Sequence, residues 1–239
     1  MRTHIVVHEA FEAPGAFEDW ARSRGHDLGF SRVYEGDALP ASGQDIDLLI
    51  VMGGPQQPST TVEECAHFDA AAEKALISSC VEADKAVIGV CLGAQLIGES
   101  LGAASVPSPN TEIGSFPVTL TDAGREHPFL TGFGDSFSTG HWHNDMPGLT
   151  ADATVLATSA GCPRQIVAYG RHVYGFQCHM EFTPDCIEAL IEHDEKELAA
   201  LADRPYVQQP AELRANDYTE MNVRLMTFLD RLAADHAAR

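Results

Sequence analysis

A cysteine flanked by glycines, Gly89-Val90-Cys91-Leu92-Gly93, is the first place in this sequence where residue type and spacing point to chemistry. It follows an apolar run, Ala86 to Val90, and opens a stretch from Leu92 to about Leu101 that reads as a helix ended by Gly102. A nucleophile presented on so sharp a strand-to-helix turn needs small neighbours, because side chains there collide with backbone. A thiol at a helix N-terminus also lies in the positive end of the dipole, which favours thiolate. A buried structural cysteine fits the same turn, so its partners decide. His179-Met180-Glu181 follows another apolar run, Val173 to Gln177, and residues two apart in extended chain project from one face. An imidazole and a carboxylate so placed can take a thiol proton and hold the ring in the right tautomer. Alone, the same pair is an ordinary surface ion pair. Gly53-Gly54-Pro55 ends the run Asp47 to Met52 and offers backbone N–H groups unshielded by side chains. With the N–H of Leu92, one residue past the cysteine, Gly54 (or, less well placed, Gly53) could stabilise an oxyanion.

Gln95 follows Cys91 by one helical turn and so faces the same pocket. His141-Trp142-His143-Asn144-Asp145 reads as a dense polar loop. Two histidines and an aspartate raise a metal, but the set lacks a further ligand at suitable spacing, and no metal or organic cofactor is implied.

Taken together, these segments resemble the class I glutamine amidotransferases. Residues 89–95, Gly-Val-Cys-Leu-Gly-Ala-Gln, are similar to that family's nucleophile motif, Val51 to Pro55 to its oxyanion strand-turn, and Gly175 to Glu181 to its Gly-x-Gln-x-His-Pro-Glu block. Within the family the resemblance is to stand-alone members similar to the glutaminase domain of GMP synthase. It implies glutamine hydrolysis through a γ-glutamyl thioester on Cys91, with His179 and Glu181 completing a triad. It also implies substrate contacts from Gln95, and a place beside the glutamine pocket for the segment holding His143 and Asp145. Glu112-Ile113-Gly114 resembles a segment of the stand-alone members. Two positions depart from the pattern: Met180 stands where proline is usual, and Cys178 where an aromatic is usual. No synthetase motif is visible, so any ammonia acceptor must be a separate chain.

The elements that would position these residues alternate. Strands are expected at Ile5 to Val7, Leu28 to Tyr34, Asp47 to Met52 and Ala86 to Val90, and helices at Ala16 to Arg24, Val62 to Ala83 and Leu92 to Leu101. Continuously apolar strands alternating with helices predict an α/β fold with a mostly parallel central sheet covered on both faces. The resemblance makes it flavodoxin-like. Phe116 to Leu120, Thr154 to Ala157, Gln165 to Tyr169 and Val173 to Gln177 read as strands joined by turns, which suggests antiparallel additions. From about Asp185 helices follow, broken near Pro205 and Pro210, as an extension of a single domain over 1–239 and a candidate docking surface.

The 239 residues carry 35 acidic and 15 basic side chains, for a net charge of −20, which disfavours nucleic acid and anionic membranes as partners. No signal-like or 18-residue apolar run occurs, and the six cysteines form no CxxC pair, so a cytoplasmic protein with free thiols is expected. Three functions fit: a glutaminase feeding a separate synthetase, a γ-glutamyl peptidase or hydrolase acting on larger γ-glutamyl amides, and a non-enzymatic thiol sensor on the same fold.

Overall fold

The computed structural model describes residues 1–238. Five strands build its parallel half: β1 (Arg2–Val7), β2 (Asp27–Arg32), β3 (Leu48–Val51), β4 (Ala86–Val90) and, late in the chain, β9 (Val173–Phe176). Apolar residues run without a break through most of them, as strands buried on both faces require. Their side chains alternate between two cores. Ile5, Ile50, Ile88 and Val90 face Phe17 and Trp20 of α1 (Ala16–Ser23) and Phe228 and Leu229 of α7 (Thr219–Ala237). Val6, Leu49, Val51 and Val87 face Leu76 and Ile77 of α2 (Ala70–Glu82) and Leu96 and Ile97 of α3 (Leu92–Ser100).

Beyond β9 the sheet turns antiparallel through β8 (Ile166–Ala168), β7 (Thr154–Ser159), β5 (Val106–Leu120) and β6 (Ser136–Met146). The order is β2-β1-β3-β4-β9-β8-β7-β5-β6. This is an α/β fold whose sheet is mostly, not entirely, parallel, with the expected antiparallel additions.

Three expectations need correction. The second helix starts at Ala70, not Val62, because the Asp69 side chain accepts hydrogen bonds from the N–H groups of Ala71 and Ala72, each at 3.0 Å, and so caps it there. The polar segment 141–145 is strand rather than loop: β6 pairs Glu112 with His143 and Gly114 with His141 across β5. β5 itself begins ten residues before Phe116, and its register shifts between Pro107 and Glu112. Prolines survive there because that stretch pairs with β6 alone, while β7 is met only from Val118 on.

A short helix, α4 (Asp122–Glu126), follows β5, and the late helices fold back onto the rest. α5 (Pro184–Ala200) and α6 (Pro210–Ala215) form a third apolar cluster in which Ile187, Leu190 and Leu213 meet Ile113 and Phe182. Asn222 of α7 donates to the carbonyls of Met180 (2.8 Å) and Phe182 (3.1 Å), clamping the segment after β9. No helix among the described residues is long and apolar enough to cross a membrane. Asn222→Ala orphans two carbonyls, and chemical denaturation is expected to show a loss of about 1–3 kcal/mol.

Candidate functional site

β4 ends and α3 begins on one residue. Cys91 holds φ +50°, a left-handed conformation that costs a residue with a Cβ energy unless its surroundings impose it. The neighbouring glycines show what imposes it. A Cβ on Gly93 would lie 2.0 Å from the carbonyl oxygen of Val51, and one on Gly89 would lie 2.3 Å from the backbone of Gly93. The elbow is packed backbone to backbone, and Cys91 N–H bonds Phe176 O at 2.8 Å. The thiol, 7% exposed, points toward the carbonyl of Trp142 at 3.6 Å.

Past β9 the chain bends, and residue 179 forms an isolated bridge, exchanging two backbone hydrogen bonds of 2.8 Å with Gly140 of β6. The buried His179 ring stacks on Phe182 at 4.2 Å and donates from Nδ1 to Glu181 Oε1 at 2.6 Å. Ala16 N–H bonds Glu181 O at 3.0 Å, fixing the carboxylate's backbone to the start of α1. The other ring nitrogen, Nε2, is buried without a hydrogen-bond partner. Burial lowers the pKa of His179, but the charge of Glu181, the neighbouring Cys91 and the Glu181 hydrogen bond outweigh it and hold it well above its ordinary value. The structure thus brings His179 and Glu181, from one segment, to the same site as the distant Cys91. Cys178 turns the other way: it is fully buried, with Sγ toward Gln165 O, and burial pushes its thiol pKa up.

Gly53 and Gly54 leave β3 beside the cysteine. The buried His8 donates from Nδ1 to the Gly53 carbonyl at 2.8 Å, and its Nε2 meets Glu73 Oε2 of α2, also at 2.8 Å. Burial depresses the His8 pKa, yet the Glu73 charge and hydrogen bond raise it overall. Glu73, His8 and Gly53 therefore form a fixed chain from an outer helix to the glycine turn. Leu92 N–H, at the first position of α3, has no carbonyl within its helix to bond.

A cleft of about 290 Å³ opens over the sulfur, lined by Glu12, Gly54, Leu92, Gln95, His143 and Asp145 among others. The Gln95 amide is buried and donates to Gln177 Oε1 at 3.2 Å. Behind the cleft lies the group that the polar segment lacked in sequence. Glu112 Oε2 lies 3.3 Å from His143 Nε2 and 3.8 Å from His141 Nδ1. Its oxygens are already filled by the Ser159 hydroxyl, the Gly161 N–H and the Gln165 amide, so the cluster is a hydrogen-bonded floor. Burial raises the Glu112 pKa, but the His143 hydrogen bond, helped by that of Ser159, brings it below its ordinary value; burial takes His141 down to about 3, which keeps that ring neutral.

The model of the family described as Glutamine amidotransferase class-I matches residues 21–195. The chain belongs to the class I glutamine amidotransferases. Among its relatives, the glutamine amidotransferase-like protein YfeJ of Salmonella typhimurium is 55% identical over the full length of both chains. GMP synthase [glutamine-hydrolyzing] of Phenylobacterium zucineum is 32% identical over 56% of this chain and 24% of its own. The structure of a glutamine amido transferase from Methylobacillus flagellatus superimposes with a TM-score of 0.87 at 26% identity, over 98% of this chain and 94% of that one.

In this class I amidotransferase, several pocket residues escaped the sequence reading. His8 and Glu12 follow the carboxyl end of β1, where open α/β sheets gather their ligands, and that position was the available signal. His193, Asp194 and Glu197 come from α5, which leaves helical geometry at Asp194 (φ −104°, ψ 18°) and receives the Trp142 indole N–H at 2.7 Å. Glu12 matters most for electrostatics. A Cβ on Gly53 would lie 2.8 Å from Glu12 Oε2 and 3.4 Å from Cys91 Cβ, so this carboxyl flanks the cysteine. Burial pushes its pKa up to about 7, against the pull of His179. A carboxyl raised in the folded state binds protons that the unfolded chain has released, so Glu12 costs stability as pH rises from about 4.5 through 7. Glu12→Gln is expected to gain up to about 3 kcal/mol over wild type above pH 7 and nothing near pH 4, read from denaturation curves across that range.

Proposed function

We propose that this chain is a cysteine-dependent amidase that hydrolyses γ-glutamyl amides, glutamine being the simplest, through a γ-glutamyl thioester on Cys91. The observation that carries the reading is the His179 ring, held by Glu181 at 2.6 Å through Nδ1, with a buried, unpartnered Nε2 and with Cys91 among the groups that raise its pKa. Family membership supports it.

In the proposed course, His179 takes the thiol proton as sulfur attacks the amide carbon, and a C–S bond forms. Gly54 and Leu92 N–H stabilise the oxyanion, with Gly53 held by His8 behind them. The C–N bond then breaks, and the proton passes from His179 to the departing nitrogen, which leaves as ammonia or an amine. Water next attacks the thioester, giving its proton to His179, and glutamate leaves as the thiol is restored. Glu181 is the orienting carboxylate throughout, and its charge favours the imidazolium that forms on His179 when the thiol gives up its proton. Gln95, His143 and Asp145 contact the glutamyl portion. In this reading ammonia from glutamine can be passed to a separate synthetase chain.

Incubation with glutamine and hydroxylamine is expected to yield γ-glutamyl hydroxamate. Cys91→Ala and His179→Ala should abolish it, whereas Glu181→Gln leaves a measurable residue, because the ring keeps its place but loses its tautomer control. Full hydroxamate formation by Cys91→Ala would remove the covalent step. A second test reads the oxyanion chain. Glu73→Gln is expected to lower kcat by more than it changes KM, since the loosened Gly53 carbonyl displaces a donor worth about 3 kcal/mol when lost outright.

A further inference from the structure

The wall of the cleft has one sign. Glu12, Asp145, Asp194 and Glu197 line it, and no lysine or arginine does. The carboxylates step outward: Glu12 is 9% exposed at the sulfur, Asp145 and Asp194 are half-buried, and Glu197 is exposed at the mouth. Among the described residues none is paired with a lysine or arginine; the Trp142 indole N–H and His193, 3.7 Å away, are the partners of Asp194. Glu12 is the telling member, because a buried carboxyl normally finds a donor. Among the described residues its side chain has none. Its charged neighbours are His179, Glu181, His8 and Asp194, and its open side is the cleft.

A glutamine molecule carries one ammonium and one carboxylate. It would leave most of this wall unanswered. A substrate whose amine half bears ammonium groups answers the wall in sequence, with the γ-glutamyl carbonyl at Cys91 and the cationic tail running outward. We propose that the preferred substrates are γ-glutamyl amides of diamines or polyamines, and that Glu12, Asp194 and Glu197 select them by pairing with the ammonium groups of the departing amine. This rests on the amidase reading above and names its substrate class.

The reaction stays balanced as before: the amine departs with the proton delivered by His179, and water completes glutamate. Such amides are made by condensing a glutamate side chain with an amine, so a ligase-type reaction must supply them.

Two probes isolate the tail: γ-glutamyl putrescine, and γ-glutamyl pentylamide, in which a methyl replaces the terminal ammonium. Binding of each to Cys91→Ala protein is measured by calorimetry, and hydrolysis of each by the wild type is measured separately. The putrescine amide is expected to bind about tenfold more tightly at low salt, with the margin shrinking as salt rises. Glu12→Gln and, at the exposed mouth where folding is not at stake, Glu197→Gln should each reduce that ratio in the Cys91→Ala background. Equal binding of the two amides, or a ratio untouched by both variants, overturns the inference. If the preference appears in binding but wild type cleaves neither amide nor glutamine, the amidase reading fails, and the substrate class falls with it. If both are cleaved at equal efficiency and bound equally, the amidase reading stands and this inference alone falls.

Discussion

Everything at this site depends on a backbone-to-backbone contact between two neighbouring parallel strands and the turn that follows one of them. Val51 and Gly89 are paired in the sheet, and the carbonyl of Val51 abuts Gly93 so closely that no side chain could enter. That contact holds the turn in register with the glycine corner after β3 and forces Cys91 into a conformation that a free chain would avoid. The sulfur, the first N–H of α3 and the Gly53-Gly54 corner thus share one rigid seat, for which the two apolar layers of the sheet supply the stability. In the amidase reading such pre-organisation matters, because small displacements of reacting groups are expensive in rate.

Around that seat, charge is handled differently on each side. The Glu112 carboxylate is saturated by hydrogen bonds and sits against a neutral His141. Glu181 is bound to an imidazole. Glu12, with no donor, is the exception, and burial drives it toward the protonated form. The contrast separates carboxylates that serve the framework from one that faces the cleft.

Much of this was legible in sequence, and for identifiable reasons. β1, β3, β4 and β9 are buried on both faces, so their apolar runs announce them. Cys91, His179, Glu181 and the two glycines sit in short motifs whose spacing carries meaning. β6 was not legible, because its His141 and His143 alternate as a strand's residues do but are polar and buried in hydrogen bonds, so hydropathy reads them as loop. The start of α2 was misplaced because helix-favouring residues extend upstream of Asp69, and a cap is a single side-chain interaction that composition does not weigh. His8, Glu12, Glu73 and the α5 residues reach the site only through tertiary folding, and no local spacing joins them.

The segment after β9 does more than carry the imidazole. β6 ends the sheet, and a terminal strand leaves a row of unmatched N–H and C=O groups that invite another chain. Residue 179 occupies part of that row by its paired bonds to Gly140. The same few residues that hold the imidazole therefore also cover part of the sheet edge, and a lesion that frees them uncovers that part to edge-to-edge association.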